Sequence, residues 1–325
     1  MMADPTDSKP EPGAKPEPAA AIPEPLFARV ALIGLGLIGS SLGRVMKRKS
    51  LAGAIIGTAR TEATRQKALS LGAIDQAFDD ALACIGDADL VVICAPLGAY
   101  ADIAKAMAPG LKPGAIVTDV GSVKQMVIRD LAPLLPDGVH LVPAHPVAGT
   151  EHSGPEAGFA ELFEGRWCIL TPPPGTDDRA VEKVAQLWRG AGSLVDIMDA
   201  GHHDKVLAIT SHLPHLIAYT IVGTATDLER ELQAEVIKFA AGGFRDFTRI
   251  AASDPVMCRD VFLANREAVL EMVGRLTEDL AVLQHAIRRG EARNSRKSSP
   301  APARSAARSS TPARPRAKAR PPLAP

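Results

Sequence analysis

One short stretch, VALIGLGLIG at positions 30–39, constrains this chain more than any other. An apolar run over residues 28–33 reads as a buried strand. It leads into Gly34, Leu35, Gly36, Leu37, Ile38 and Gly39, a G-x-G-x-x-G turn, and residues 40–49 read as the helix that follows. The glycines have separate tasks. Gly34 permits a tight turn off the strand. Gly36 has no Cβ, so a pyrophosphate can approach the backbone. Gly39 lets the helix pack close to the strand. The free amides at the helix start, those of Leu37 and Ile38 among them, then face the phosphates together with the positive end of the helix dipole. Between a strand and a helix, at the head of a βαβα series, such a turn predicts a dinucleotide site.

That series is present. Residues 53–58, 74–78, 89–94, 115–119 and 139–143 read as further strands, with helices over 61–71 and from 122 to about 131. The strands are continuous apolar runs rather than alternating ones, the pattern of a parallel sheet covered on both faces. Residues 166–170 and 193–198 read as outer strands around a helix. Past Asp199 the pattern turns helical, over 202–225, 228–241, 255–262 and 265–289, and Pro214 is expected to kink or break the first of these. The predicted class is α/β: a Rossmann-type, doubly wound, mostly parallel sheet over 27–198, plus an all-helical C-terminal dimerisation domain over 199–290. Residues 1–26 and 291–325 read as disordered arms, the second one basic.

Composition narrows the functions. The formal net charge of +0 argues against a body built for nucleic acid or membrane; the basic tail is the one hint of a nucleic-acid partner. No apolar run approaches the roughly 20 residues that span a bilayer. Cys84, Cys94, Cys168 and Cys258 match no metal spacing, and no secretory signal opens the chain. A cytoplasmic protein with reduced thiols and no metal is expected.

Ligands of open parallel sheets lie beyond the carboxyl ends of the strands. Polar loops at 58–61, 95–97, 121–124 and 144–154 should meet in one crevice, which adds Thr58, Ala95, Pro96 and Ser122 to the cofactor contacts. Ala59 stands where an NAD site usually carries an acid, and Arg60 beside it can grip a 2′-phosphate, so NADP is favoured over NAD. Alternatively, Arg60 is a surface charge and NAD binds. His145, directly after a strand, can take a proton at neutral pH. Ser122 can bond the same substrate hydroxyl or cap a helix. His212 and His215 stand three apart without the partners of a zinc motif, and read as substrate contact or packing. Arg249 follows Gly242 and Gly243 in a Gly-rich segment that suits a carboxylate clamp; an ion pair with Asp246 is the competing reading.

Taken together, these segments resemble the prephenate/arogenate dehydrogenase family of tyrosine biosynthesis. The resemblance runs in order over about residues 28–290. It rests on IGLGLIGSSL, DVGSVK over 119–124, HPVAGTEHSG over 145–154, SHLPH over 211–215, and GGFRDFTRIAASDPVMCRD over 242–260. It implies a nucleotide-binding domain with a helical dimerisation domain. The implied reaction is NAD(P)-dependent oxidative decarboxylation of prephenate or arogenate, giving 4-hydroxyphenylpyruvate or tyrosine. It further implies that His145 is the catalytic base, that Ser122 orients the hydroxyl and that Arg249 binds a carboxylate. His215 would lie near the substrate side chain with His212 in support, and Glu151 and Asp246 would shape access, with Thr150 and Gly243 also lining the substrate site. His215 leans the choice toward prephenate, since an imidazole can bond a keto or carboxylate group. Departures from the family pattern are Cys258, where some members carry an aromatic residue, and the missing acid after the second strand. No mutase segment is expected before the glycine turn, nor a regulatory domain after Arg289. The alternatives are another two-domain dehydrogenase using Lys205 or Lys238 on a hydroxyacid or imine, and a nucleotide-binding protein without turnover.

Overall fold

In a computed structural model, residues 24–150, 152–227, 235, 238–239 and 241–290 are described. Most of both expected arms, and most of the helix expected over 228–241, lie outside those residues.

A parallel sheet forms the first half. Its strands are β1 (Phe27–Ile33), β2 (Ala52–Thr58), β3 (Gln76–Phe78), β4 (Leu90–Ile93), β5 (Ile116–Asp119) and β6 (His140–Leu141), in the order β3-β2-β1-β4-β5-β6. The helices between them are α1 (Leu37–Arg48), α2 (Glu62–Ser70), α3 (Ala81–Cys84), α4 (Tyr100–Met107) and α5 (Lys124–Leu131). The sheet reverses direction of growth between β1 and β4, and a crevice opens at such a switch point. Strand β1 shows why residues 30–33 had to be apolar at every position. Val30 and Leu32 bury into one core with Leu42, Val45 and Trp188, while Ala31 and Ile33 bury into the other with Val91, Ile93 and Val117.

The last strands depart from expectation. Val142 still donates to the Val117 carbonyl, but Pro143 has no N–H to continue the ladder on β5. The chain leaves the sheet there, and Ala144–Pro146 becomes β7 of a second sheet. It pairs antiparallel with β8 (Trp167–Leu170), which pairs in parallel with β9 (Leu194–Ile197); α6 (Asp178–Gly190) lies between these two in sequence. The outer strands therefore do not extend the parallel sheet, and His145 lies within a strand, opposite Ile169, rather than in a loop.

The helical half also differs in detail. Helices α7 (Ala200–Leu207) and α8 (Leu213–Thr226) form one continuous run through a π-type turn at Ala208–His212. Pro214 neither breaks nor ends it, because the widened turn before it takes up the ring's conflict with the preceding turn. This run, Ala200–Thr226, is long and apolar enough to cross a membrane by length and composition, which corrects the sequence reading on that point. It also carries the buried polar residues His203, Asp204 and His212. The Gly-rich segment, left without an assigned element in the sequence reading, is a helix, α9 (Gly242–Ala251), with Phe244, Phe247 and Ile250 at helical spacing. Helices α10 (Pro255–Ala264) and α11 (Arg266–Arg288) complete the fold. Asp254 caps α10 by accepting from the Val256 and Met257 amides.

At the carboxyl end of β5, Asp119 and Lys124 are both 0% exposed and directly paired. Removing one member of such a pair strands a buried charge, at a cost of about 3–5 kcal/mol, whereas removing both charges costs far less. Lys124→Met should therefore lower the denaturant midpoint sharply, and Asp119→Asn added to it should recover a large part. Urea titrations of both variants test this; additive losses would contradict it.

Candidate active site

The glycine turn takes the shape its sequence demands. Gly34 sits at φ +109°, and a Cβ there would lie 2.6 Å from the Cys94 carbonyl oxygen at the end of β4. A Cβ on Gly39 would overlap the Gly34 carbonyl, so α1 closes directly on the turn. Gly36 is different: nothing lies within 4 Å of its Cβ position. It is the N-cap of α1, with no side-chain cap and no acid in the first turn. The amides of Leu37 and Ile38 thus open onto unfilled space at a positive helix end, a cradle that fits a dinucleotide pyrophosphate.

The four strand-end loops are tied to one another. The Gly34 amide donates to the Thr58 carbonyl at 2.8 Å. Cys94 and Ala95 touch Gly34, and a Cβ on Gly121 would meet Leu97 and the Tyr100 hydroxyl. Lys124 Nζ donates to the Ala144 carbonyl at 2.7 Å. Thr58 is buried, Ala95 half-buried and Pro96 exposed at this edge. Arg60 is exposed and has no ion pair among the described residues, while Arg65 donates to the Ala59 carbonyl at 2.7 Å and fixes the loop beside it.

Asp119 and Lys124 form the floor. Lys124 Nζ donates to both carboxylate oxygens, at 2.8 and 2.6 Å, and to Ala144. Asp119 also accepts from the Tyr100 hydroxyl and from the Gly121 and Ala144 amides. Burial lowers the Lys124 pKa, and the Asp119 carboxylate opposes that shift.

His145 is held directly above, one residue past Ala144. Its Nδ1 lies 2.9 Å from Nε2 of His203 on α7. His203 Nδ1 in turn lies 2.8 Å from Asp204 Oδ1. Asp204 also accepts the Lys124 amide at 2.8 Å and the Gln125 amide at 2.9 Å, the free N–H groups that open α5. Ser122 is therefore not the cap of α5: the N-cap position is Val123, and the capping carboxylate comes from the helical half. Ser122 is half-buried in the loop before it. Burial lowers the His145 pKa well below the usual value, helped by His203, Lys124 and His212 nearby. His145 is neutral at pH 7.

A second histidine is fixed the opposite way. Asn265, between α10 and α11, donates from Nδ2 to the Asp204 carbonyl at 2.8 Å and lies 3.1 Å from His212 Nδ1. An amide nitrogen can only donate, so His212 Nδ1 accepts and its proton sits on Nε2. Burial depresses His212 to about 4, and Nε2 is a buried donor with no partner among the described residues. A buried donor is rarely left unpaired, so it marks a place for a ligand oxygen or a water.

The other expected site residues are more scattered. His215 is half-buried, with Nδ1 donating to the Ser211 carbonyl at 2.8 Å. A neutral His215 thus offers only an acceptor at Nε2, which removes the basis for preferring a keto or carboxylate group there. Arg249 is on α9, which packs against α8; it is 56% exposed and lies 3.9 Å from Asp246. Gly243 is exposed in the first turn of α9. Thr150 accepts from the His152 amide, and Glu151 lies outside the described residues. Sequence reasoning missed His203, Asp204, Asn265 and Tyr100, since none stands in a glycine turn or at a strand end. Flanked by His202 and Lys205, the His203-Asp204 pair reads locally as an exposed polar turn.

Comparison with known proteins agrees on a family. Residues 42–196 match the nucleotide-binding domain of prephenate dehydrogenase, and residues 199–297 match its dimerization domain. The cyclohexadienyl dehydrogenase of Zymomonas mobilis is 42% identical over 81% of this chain and 89% of its own length. The prephenate dehydrogenase of Bacillus subtilis is 35% identical over 82% of this chain and 71% of its own. The solved prephenate dehydrogenase of Aquifex aeolicus, in complex with hydroxyphenyl propionate and NAD+, superposes with a TM-score of 0.77 at 35% identity, covering 83% of this chain and 94% of that one. A parallel sheet opening on a glycine turn, a helical C-terminal domain, both domain matches and relatives alike over 71–94% of their own length place this chain in the prephenate dehydrogenase family.

Proposed function

We propose that the chain carries out NAD(P)-dependent oxidative decarboxylation of prephenate, arogenate or both, and that His145 is its base. The observation that carries this reading is the state of His145: buried, neutral and, among the described residues, hydrogen-bonded through Nδ1, in β7 one residue past Ala144, whose carbonyl Lys124 holds. The bound nicotinamide supplies the hydride acceptor. His145 Nε2 takes the proton of the C4 hydroxyl, and Ser122 orients that hydroxyl. As C4 gives up its hydride, the bond from C1 to the carboxylate breaks, CO₂ leaves, and its electron pair enters the ring. The imidazolium then returns the proton to the phenolate oxygen. Aromatisation drives the reaction, so the protein chiefly aligns groups and manages one proton, roles worth about 10²–10⁴ for the proton alone.

Substrate carboxylates need cationic and hydrogen-bond partners. Arg249 serves as the clamp, because its long and exposed contact with Asp246 contributes under about 1 kcal/mol and leaves the guanidinium available. His212 Nε2–H supplies a buried donor, a stronger part than the supporting one expected from sequence. His215, with Nδ1 bonded to the Ser211 carbonyl, leaves Nε2 to accept from a substrate donor. Glu151, Thr150 and Gly243 would complete the lining. NADP is favoured by unpaired Arg60 at the end of β2, in place of an acid. The exposed apolar residues Leu263, Leu270, Leu280, Val282 and Ile287 form the material of a homodimer contact, in a cytoplasmic enzyme. Lys205 and Lys238 are exposed, which does not favour them as proton donors for a hydroxyacid or imine.

Purified protein given prephenate or arogenate with NAD or NADP, followed by reduced-cofactor absorbance, tests the reading; no reduction with any pair would end it. His145→Asn should lower kcat by at least about 10²-fold with cofactor affinity unchanged, and wild-type turnover would remove His145 from the role. Arg60→Asp should lose NADP use and keep NAD use; equal loss of both would reassign Arg60. Because the His145 pKa lies below its free value, kcat/KM should stay level as pH falls from 7 past 6.5 and decline only lower. A decline centred above pH 7 would contradict that.

A further inference from the structure

We infer that His203 and Asp204 are positioning residues that set the tautomer of His145 and hold its bare nitrogen toward the substrate. The inference rests on the reading of His145 as the base. Its ground is a chain of bonds with only one consistent direction. Asp204 accepts two backbone amides, so it is an acceptor toward His203 as well. His203 Nδ1 must then donate to it. A neutral His203 has a bare Nε2, which accepts from His145 Nδ1–H at 2.9 Å. His145 is left with its lone pair on Nε2, the atom that must take the hydroxyl proton.

The carboxylate has a second effect. When His145 Nε2 gains the proton, the O–H bond of the alcohol breaks and the ring carries a positive charge. The bond from Nδ1–H to His203, itself bonded to Asp204, then stabilises the charged ring, as in other acid–histidine arrangements where the acid orients the ring without itself being protonated. The groups facing this chain from packed elements are Lys124 on α5, Asp119 at the end of β5 and His212 before α8. His203, Lys124 and His212 disfavour a charged His145 ring, while at His203 Lys124 disfavours the charge and Asp204 and Asp119 favour it. Asp204 thus acts on the first ring through the second. Its carboxylate is also fixed at the positive end of α5, so it cannot turn away from His203 without abandoning two amides.

His203→Leu and His203→Gln separate tautomer control from packing. Glutamine places an oxygen near the position of Nε2 and can still accept from His145 Nδ1–H; leucine cannot. His203→Leu should lower kcat about 10²-fold, with KM and cofactor affinity within about threefold. His203→Gln should keep kcat within about tenfold of wild type. In protein carrying ¹⁵N-labelled histidine, the His145 ring, assigned through His145→Asn, should show a protonated Nδ1 and a bare Nε2, and should change in His203→Leu. Wild-type turnover in His203→Leu, equal loss in both variants, or a wild-type His145 protonated on Nε2 would overturn the inference. If His145→Asn itself keeps full turnover, the base assignment falls instead.

Discussion

A fully buried lysine ammonium paired with a fully buried aspartate carboxylate is the interaction on which this site depends. Taking Lys124 and Asp119 out of water costs several kcal/mol for each ion, and their mutual attraction repays it only if every remaining bond is made. Here every one is. The three N–H groups of Lys124 go to both oxygens of Asp119 and to the Ala144 carbonyl. The carboxylate also receives Tyr100, Gly121 and Ala144. Together these bonds join the end of β5, the start of α5, helix α4 and the first residue of β7. The position of His145 follows, because it is the next residue along a strand whose origin cannot shift.

The seam between the two halves works the same way. A helix start leaves amides without partners, and most proteins cap it from the residue just before. In α5 the cap comes from Asp204, eighty residues later and on the other domain. The same residue sends its carboxylate to His203 and its main-chain carbonyl to Asn265. Rotation of the helical half against the sheet would uncap α5, free His203 and release Asn265 together. Geometry at the seam is thus coupled to the protonation pattern of both buried histidines.

Much of the fold was legible because its signals are local. The apolar run of β1, the glycines after it and the continuous strands β2, β4 and β5 each declare themselves within a dozen residues. The second sheet was not legible, since nothing local distinguishes a strand pairing with β6 from one pairing with β8; the deciding fact is the missing N–H of Pro143. Helix α9 was masked by two glycines at its start, though its apolar spacing was in view. Within the site, His145 stood out by position, but His203, Asp204 and Asn265 matter only through contacts 50 to 80 residues away in sequence. A linear reading weighs a histidine by its neighbours in the chain, and those neighbours were uninformative.

On the proposed reading of His145 as the base, its depressed basicity is a compromise rather than a defect. Neutrality at pH 7 keeps the lone pair available, but each unit by which the pKa falls makes proton acceptance harder by about 1.4 kcal/mol. A base of this kind suffices only if the proton need not stay. In this reaction it does not, since the ring oxygen becomes a phenolate, a far stronger base than imidazole, once CO₂ has left. Burial therefore serves the first half of the step by holding the imidazole neutral, and aromatisation serves the second by reclaiming the proton. What the protein must still provide is a ring that cannot rotate or exchange its tautomer between those events. In this fold, buried bonds from Asp204 provide it, and surface charge has no part in it.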